Sequence, residues 1–393
     1  MTVEIEPVKM KGIILTGKPS SRSEITKFLS VSDSIPKPGI KAGEVLVRVK
    51  ASAMNIEDIM IGVGRFMCSV TATKDDPVVL GQEFSGVVEE VGSKVKEFQV
   101  GDKVCGHKIP IKQRWGTWAE YVTVDENVLV KKGENYSFAE AAALPMSALV
   151  AYGAVKAAGL FEHPVLDDSS HKTKRKEDVM MVKDDGNEAL IMDTKVDKSI
   201  LQDAKIAIVG ASSTIGLMVL DMLVSRGMKV IGVSSSSSAP TVLANGAVAV
   251  LDRHFDGGLG RLEDVDLDIV IDCVGSQEIE DTARKALGSK GHFVTIAGPG
   301  DATFGEGAVD GMKIFGHMAA SMGRSLKSVF SNVKYTLAAM PVSGGVRILQ
   351  KLLEENVKSV IDSEVDMFDE AAVLAAVEKV NSHKTKGRLV FVS

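Results

Sequence analysis

The chain has 393 residues, of which 45% are hydrophobic and 25% are charged, and its formal net charge is -6. This composition is typical of a globular protein, and the length exceeds what one hydrophobic core usually serves, so we expect two domains. The acidic balance excludes the strong electrostatic attraction by which proteins bind nucleic acid or anionic membrane surfaces.

Short strands separated by turns are predicted between residues 11 and 132. Residues 44–51 alternate apolar and charged side chains, which indicates a strand with one buried face. Further strands are predicted at 12–15, within 78–91, at 103–106 and within 120–130. Regular short strands with glycine-rich turns predict a small, barrel-like β domain.

An alanine-rich segment follows the predicted β domain. Residues 139–158 are predicted to form a helix that Pro145 interrupts. The next segment, residues 163–203, is polar and highly charged. We expect it to form a solvated hairpin or loop, and a lid or partner-binding element is the alternative.

Residues 205–238 have the pattern of a nucleotide-binding unit. The apolar run 206–209 predicts a buried parallel strand, a tight turn runs from Gly210 to Gly216, and a helix and a second strand follow at 217–226 and 230–233. Strand, glycine turn, helix and strand in this order indicate a dinucleotide-binding βαβ unit. Unpaired N–H groups at the helix N-terminus would bind the pyrophosphate; a strand and helix with no ligand are the alternative.

The glycine pattern of this turn is imperfect. Its three small residues are Ala211, Ser213 and Gly216, and Ser213 stands where glycine usually lets the backbone approach phosphate. A serine hydroxyl can instead donate a hydrogen bond to phosphate. We therefore assign cofactor binding to the residues of the turn: Gly210, Ser212, Ser213, Thr214, Ile215 and Gly216.

The second strand of the unit ends in five serines, residues 234–238, with no acidic side chain. A carboxylate at this position would bind the ribose 2′-hydroxyl of NAD, whereas its absence removes repulsion against a 2′-phosphate. The sequence therefore favours NADPH over NADH, with Arg253 as a distant helper. The residues assigned here are Ser234, Ser235, Ser236 and Arg253, and a solvated loop is the alternative interpretation.

Alternating strands and helices continue to residue 297. Helices are predicted at 239–245 and 277–286, and strands at 247–251, 267–273 and 291–297. This alternation predicts an α/β fold with a parallel sheet, whose ligands bind beyond the C-terminal strand ends. The candidate cofactor-binding residues at those ends are Gly210, Ser234, Cys273, Val274 and Gly298.

The last predicted elements are two amphipathic helices, 347–353 and 371–380, and a strand at 386–392.

The three cysteines, Cys68, Cys105 and Cys273, are far apart in sequence, which favours a reducing compartment, and we expect the cytoplasm. Residues 1–10 resemble neither a signal peptide nor a transit peptide. Since no run of about 18 apolar residues occurs, no membrane span is predicted.

Several short motifs occur together in one order. They are Asn55-Ile-Glu-Asp58, Gly81-x-Glu83-x-x-Gly86, Val91-Gly92, Gly101-Asp-Lys-Val104, Ala143-Leu-Pro145, Ala151-Tyr-Gly153, the glycine turn, Asp272-Cys-Val-Gly275 and Lys386-Gly-Arg-Leu-Val390. With these motifs in this order, the chain resembles the medium-chain dehydrogenase/reductase superfamily, and specifically its zinc-free, quinone-oxidoreductase-like branch. The motifs span nearly the whole chain.

This resemblance implies a domain organisation and an activity. It implies a GroES-like β-barrel catalytic domain formed by residues 1–146 and completed by 333–393, and a Rossmann-type NADPH-binding domain with a doubly wound sheet at 147–332. Residues 163–203 depart from the family pattern as an insertion. The implied activity is hydride transfer from NADPH to a quinone or an α,β-unsaturated carbonyl compound in a homodimer, and Arg388 is assigned to cofactor binding.

The same resemblance argues against a catalytic zinc. The family's first cysteine position is Asn55 here and its histidine position is Gln82, and amides are poor zinc ligands. Glu83 alone cannot hold zinc, and His107 has no suitably spaced partner. We therefore expect no metal site, and a zinc alcohol dehydrogenase is the less favoured alternative.

Without a metal, the oxyanion that develops on a reduced carbonyl needs a hydrogen-bond donor. Asn55 is the candidate donor, and the alternative is that it only forms a turn. Asp58 is expected to act as an orienting or capping group. Glu83 is expected to bind backbone groups.

Tyr152 is a further candidate, expected to line the active-site cleft. Its spacing to Lys156 is that of short-chain dehydrogenases, but the pair precedes the glycine turn, so we treat that match as chance.

Relatives often carry tyrosine and arginine where this chain has Met60 and Gly62. The substrate pocket is therefore predicted to be more apolar than in those relatives. The loss of these polar groups keeps a second alternative open, a non-catalytic NADPH-binding interaction protein.

Overall fold

The computed structural model describes residues 8–64, 71–108, 114–161, 205–254, 258–297 and 344–393, together with 320, 323–326, 328 and 331–341. The chain divides into two compact units, with one boundary at Met146 and another at Gly344. The first unit holds the described residues before the first boundary and after the second. The predicted insertion at 163–203 lies outside the described residues.

The elements are numbered in chain order within the described residues. The strands are Lys9–Leu15 (β1), Leu29–Pro36 (β2), Glu44–Ala53 (β3), Val78–Val79 (β4), Glu83–Val91 (β5), Lys103–His107 (β6), Tyr121–Asp125 (β7), Leu129–Lys131 (β8), Ile206–Val209 (β9), Val230–Ser234 (β10), Ala249–Asp252 (β11), Leu267–Asp272 (β12), Leu287–Thr295 (β13), Lys334–Leu337 (β14), Ile361–Asp366 (β15) and Arg388–Val392 (β16). The helices are Ile56–Gly62 (α1), Phe138–Ala142 (α2), Pro145–Ala157 (α3), Thr214–Val224 (α4), Ala239–Ala244 (α5), Gln277–Ala286 (α6), Gly345–Glu354 (α7) and Glu370–Asn381 (α8).

The first unit is built from antiparallel sheet around β3. This strand pairs with β5, β7 and the C-terminal strand β16, in a sheet of order β15-β16-β3-β5-β6-β8. A second sheet has the order β2-β1-β4. The core between these elements includes Trp118 and Phe391, whose rings meet edge to face with centroids 5.2 Å apart. The predicted return of the C-terminal strand to the β domain is confirmed by the pairing of β16 with β3.

The second unit holds a parallel six-stranded sheet of order β11-β10-β9-β12-β13-β14. The order reverses at β9, which has β10 on one side and β12 on the other, and ligands of such sheets bind at this switch point. The central strands β9 and β10 are entirely buried, as their continuous apolar sequences predict. The predicted α/β fold with a parallel, Rossmann-type sheet is confirmed.

Several details differ from the sequence predictions. Strand β14 pairs with β13, so the second unit continues beyond residue 333, where the resemblance placed the return to the first domain. Helix α1 and strands β2 and β15 were not predicted. Helix α1 and β15 are short and β15 carries few apolar residues, whereas the alternating apolar residues of β2 were a signal that the sequence analysis missed. None of the described helices is both long and apolar enough to cross a membrane.

Candidate functional site

Asn55 begins helix α1 in the first unit. Its backbone N–H donates to Asp58 Oδ2 at 2.8 Å, so that carboxylate caps the first turn of the helix. The Asn55 side chain lies between two charged groups: its Nδ2 donates to Glu83 Oε2 at 2.7 Å, and its Oδ1 accepts from the guanidinium of Arg388. Because a guanidinium can only donate, this contact fixes which end of the amide faces Glu83.

Glu83 is completely buried at the start of β5. Its Oε1 accepts the backbone N–H of Met146 at 2.6 Å, the kind of backbone contact that we expected for this residue. Its Oε2 accepts from Asn55 and forms an ion pair with Arg388. The carboxylate is therefore surrounded by donors, as a buried charge requires.

Arg388 lies in the same cluster. The structure buries it in the first unit with 4% of its surface exposed, and the cofactor-binding role that we assigned to it stays a prediction. Its guanidinium contacts Glu83, Asn55 and the carbonyl oxygen of Met54. The positive charge of Arg388 is thus matched by Glu83, which lies 305 residues away in sequence.

Asp58 is also buried, with 1% of its surface exposed. Besides capping α1, it accepts a hydrogen bond at Oδ1 from the side-chain amide of Gln82, at 3.1 Å. Burial raises the pKa of Asp58 to about 7, although these hydrogen bonds act in the opposite direction. Asp58 thus lies where an orienting or capping group is expected, and a role in the reaction stays a prediction.

The residues of this cluster do not fit a catalytic zinc. Gln82 is held by Asp58, Asn55 is held by Glu83 and Arg388, and the guanidinium of Arg388 would repel a cation beside Glu83. Within the described residues, no group of three or more His, Cys, Asp or Glu side chains is arranged to hold a metal ion.

Tyr152 lies on α3 in the second unit. Its ring packs edge to face on Phe161, with centroids 4.3 Å apart, and Lys156 Nζ lies 5.8 Å from the centroid of the tyrosine ring. The lysine therefore contacts the ring face of Tyr152. The position of Tyr152 in a reaction remains a prediction.

The glycine turn of the second unit follows β9, as predicted. Gly210 has a positive φ of 76°, and a Cβ there would lie 2.6 Å from a methyl carbon of Val274. At Gly216 a Cβ would lie 2.2 Å from the carbonyl oxygen of Gly210, so the helix can approach the turn only with glycine at this position. The close approach of helix and strand is what the third small residue of a dinucleotide-binding turn permits.

Ser213 caps helix α4. Its hydroxyl oxygen accepts the backbone N–H of Gly216 at 3.0 Å, and its backbone is extended, as at other helix N-caps. This contact uses a lone pair of the hydroxyl oxygen, and the hydroxyl proton can donate to an anion. Thr214 and Ile215 form the first turn of α4, where backbone N–H groups have no acceptor within the helix.

The serine run lies at the end of β10, beside a carboxylate that the sequence analysis missed. Strands β10 and β11 pair in parallel with Ser234 opposite Asp252. The carboxylate of Asp252 accepts the backbone N–H of Ser236 at 3.0 Å and that of His254 at 2.9 Å. Asp252 is the last residue of a short apolar strand. This position at a strand end was the sequence signal that could have identified the carboxylate.

Arg253 is closer to the serine run than we expected. Its backbone N–H donates to the carbonyl oxygen of Ser234 at 3.0 Å, and its side chain is exposed, with Nε donating to the imidazole of His254 at 2.8 Å. Ser235 bonds through its hydroxyl to other serines of the run. Serine hydroxyls and an exposed arginine thus follow the ends of the paired strands β10 and β11.

The end of β12 carries the remaining candidates. Asp272 Oδ1 accepts the N–H groups of Val274 and Gly275, both at 2.9 Å, which holds the turn that follows the strand. Cys273 is buried, and burial raises the pKa of its thiol, so the thiol is neutral; its role in cofactor binding stays a prediction. Gly298 lies outside the described residues.

Comparison with known proteins finds a matching family model for each of the two units. Residues 41–134 match the family model of the alcohol dehydrogenase GroES-like domain, and residues 214–336 match that of the zinc-binding dehydrogenase. The chain is 23% identical over 358 residues to an NAD(P)H oxidoreductase, RTN4IP1, of Dictyostelium discoideum, which covers 88% of this chain and 90% of the relative. A quinone oxidoreductase from Coxiella burnetii has the same fold, with a TM-score of 0.67 at 21% identity over 98% of this chain and all of that one.

A closer but shorter match is a 2-methylene-furan-3-one reductase of Solanum lycopersicum. It is 36% identical over 135 residues, which is 33% of this chain and 34% of the relative. The chain thus spans about a third of the length of that relative. The two family models, which fall on the two units in the expected order, confirm the GroES-like and Rossmann-type domains. The chain belongs to the medium-chain dehydrogenase/reductase superfamily.

Proposed function

We propose that the protein is a zinc-free, NADPH-dependent reductase of α,β-unsaturated carbonyl compounds or quinones, a member of the quinone-oxidoreductase-like branch. The observation that carries the proposal is the cluster around Glu83. The amides of Asn55 and Gln82, at the positions that the resemblance gives to zinc ligands, bind carboxylates there, and the guanidinium of Arg388 pairs with Glu83. A protein with no Lewis acid must rely on a reduced nicotinamide and on hydrogen-bond donors. Relatives named as an NAD(P)H oxidoreductase and as a reductase of a conjugated furanone support this proposal.

The second unit supplies the residues that would hold the cofactor. The turn from Gly210 to Gly216 and the first turn of α4 offer backbone N–H groups, which suit a pyrophosphate. Ser213 adds a hydroxyl proton. When bound there, the nicotinamide supplies the hydride, and the protein binds and orients the acceptor.

Asn55 is the proposed donor to the substrate oxygen. Glu83 takes one N–H of its amide, and the second N–H has no acceptor among the described residues. Arg388 holds the amide oxygen, so the second N–H keeps one direction. A donor fixed before the reaction costs no reorganisation when negative charge develops on the oxygen.

Turnover by the purified protein tests this function. Metal-free protein mixed with NADPH and a panel of quinones and enones, such as 1,4-naphthoquinone and cyclohex-2-enone, should oxidise NADPH, followed by absorbance. Absence of turnover across the panel would refute the enzymatic proposal, and NADPH binding without turnover would favour the non-catalytic alternative. Stoichiometric zinc in the purified protein would refute the zinc-free part.

Preference for NADPH is proposed from the serine run and Arg253. The carboxylate of Asp252 accepts two backbone N–H groups, and Arg253, whose backbone N–H donates to Ser234, has an exposed side chain. We expect Arg253→Ala to raise the Kd of NADPH about tenfold and that of NADH less than about twofold, since one charge-assisted hydrogen bond to the 2′-phosphate is lost. Titration of the cofactor's fluorescence measures both constants.

Two variants control this measurement. Arg347→Ala removes an exposed arginine of the first unit and should leave both constants unchanged. Arg253→Lys keeps the charge and should recover part of the NADPH affinity. Equal losses of NADPH and NADH affinity in Arg253→Ala would contradict a 2′-phosphate contact.

A cytoplasmic location and a homodimer complete the proposal. The location rests on cysteine usage, since Cys105 and Cys273 are free, buried thiols. The dimer rests on the family resemblance, and sedimentation measures it.

A further inference from the structure

His107 ends strand β6 in the first unit and faces the same side of the sheet as Glu83. The two residues are directly paired in the antiparallel register of β5 and β6. Side chains directly opposite in such a pair lie on one face, with Cβ atoms about 4.5–5.5 Å apart. The next residue, Lys108, sends its amine elsewhere, to the carbonyl oxygen of Thr123 at 2.9 Å.

The imidazole of His107 has an unused buried nitrogen. Its Nδ1 is buried and has no hydrogen-bond partner among the described residues. A buried polar atom without a partner costs about 1–3 kcal/mol, so such an atom beside a polar cluster indicates a ligand. Burial lowers the pKa of His107, and the charge of Glu83 opposes this effect only in part, which favours the neutral ring with one N–H donor and one acceptor.

Two donors therefore flank Glu83. Asn55 follows β3 and contacts the carboxylate from one side, and His107 on β6 lies on the other side, since β5 runs between those two strands. The carboxylate itself is neutralised by Arg388, so it does not repel a developing negative charge as a free carboxylate would. Both neighbours of this balanced carboxylate thus carry N–H groups.

We propose that His107 donates a hydrogen bond to the carbonyl oxygen of the substrate, as a second donor with Asn55. This inference rests on the proposed reductase function. In that reaction a hydride from the reduced nicotinamide adds to the β-carbon of an enone, and the C=C electron pair moves to give an enolate whose α-carbon takes a proton from water. His107 stabilises the enolate oxygen and neither gains nor loses a proton.

Kinetics with cyclohex-2-enone test the donor. His107→Phe should lower kcat/KM about 100-fold, the loss typical of one oxyanion donor, with the Kd of NADPH unchanged. His107→Asn, which keeps an N–H donor, should stay within about tenfold of the original protein. His383→Asn removes a histidine of the same unit at a positive φ of 55°, which asparagine tolerates, and should change nothing. A kcat/KM within twofold for His107→Phe would overturn the inference.

A binding experiment separates this inference from the reductase function. With NADP⁺ in place of NADPH, cyclohex-2-enone binds without being reduced. The ¹⁵N resonances of His107 in histidine-labelled full-length protein should then shift as enone is added. Unmoved His107 resonances would overturn the inference, whatever other signals do. Failure of the original protein to oxidise NADPH with any acceptor would instead refute the reductase function, and a His107 shift would still support the carbonyl contact.

Discussion

Replacement of Arg388 by methionine is expected to lower the free energy of unfolding by about 3–5 kcal/mol, the usual cost of leaving one buried charge without its partner. Glu83 is fully buried, and its carboxylate forms an ion pair with the buried guanidinium of Arg388. The remaining hydrogen bonds from Asn55 and Met146 do not cancel the charge. Urea denaturation followed by circular dichroism measures the change.

A second substitution distinguishes loss of charge balance from loss of packing. Glu83→Gln in the Arg388→Met background removes the orphaned charge, so the double variant should be more stable than Arg388→Met alone. Lys103→Met breaks an exposed pair, Lys103 with Glu134 at 3.3 Å, and should cost about 1 kcal/mol or less. A double variant less stable than Arg388→Met would contradict the charge argument.

Replacement of Gly216 by valine is expected to raise the Kd of NADPH by about 10–100-fold. A Cβ at this position would lie 2.2 Å from the carbonyl oxygen of Gly210, so the helix must move away from the turn that precedes it. Overpacking of this kind costs about 1–3 kcal/mol, which corresponds to the stated loss when binding depends on the displaced N–H groups. Isothermal titration calorimetry measures the affinity.

The matched control is Gly260→Ala in the same unit. A Cβ at Gly260 meets no atom within 4 Å, so this variant should bind NADPH within about twofold of the original protein. Circular dichroism of Gly216→Val shows whether the second unit still folds. An unchanged Kd in folded Gly216→Val protein would mean that the turn does not hold the pyrophosphate.

The second unit was more predictable than the cluster in the first. Strand β9, the glycine turn, helix α4 and strand β10 follow one another within about thirty residues, so local apolar periodicity and turn chemistry are sufficient to predict them. The position of Asp252 beside Ser236 was not predictable in this way. It depends on the parallel register of β10 and β11, which neighbouring residues in sequence do not encode.

The polar cluster of the first unit shows the same limit more strongly. The motifs identified Asn55, Gln82 and Glu83 as chemically important, yet the partner of Glu83 was assigned to the cofactor. An arginine near the C-terminal strand gives no local sign of a carboxylate 305 residues earlier. Only the pairing of β16 with β3 brings the two together. His107 was considered only as a metal ligand, because its cross-strand relation to Glu83 appears only in the folded sheet.

The pairing of the C-terminal strand β16 with β3 also affects folding during synthesis. Glu83 leaves the ribosome long before Arg388, and the whole second unit is synthesised between them. Until strand β16 emerges, a folding intermediate of the first unit must either keep Glu83 hydrated or bury it without its countercharge. The central sheet can therefore reach its final packing only after strand β16 has been synthesised, which makes the closing of the ion pair a late event in folding.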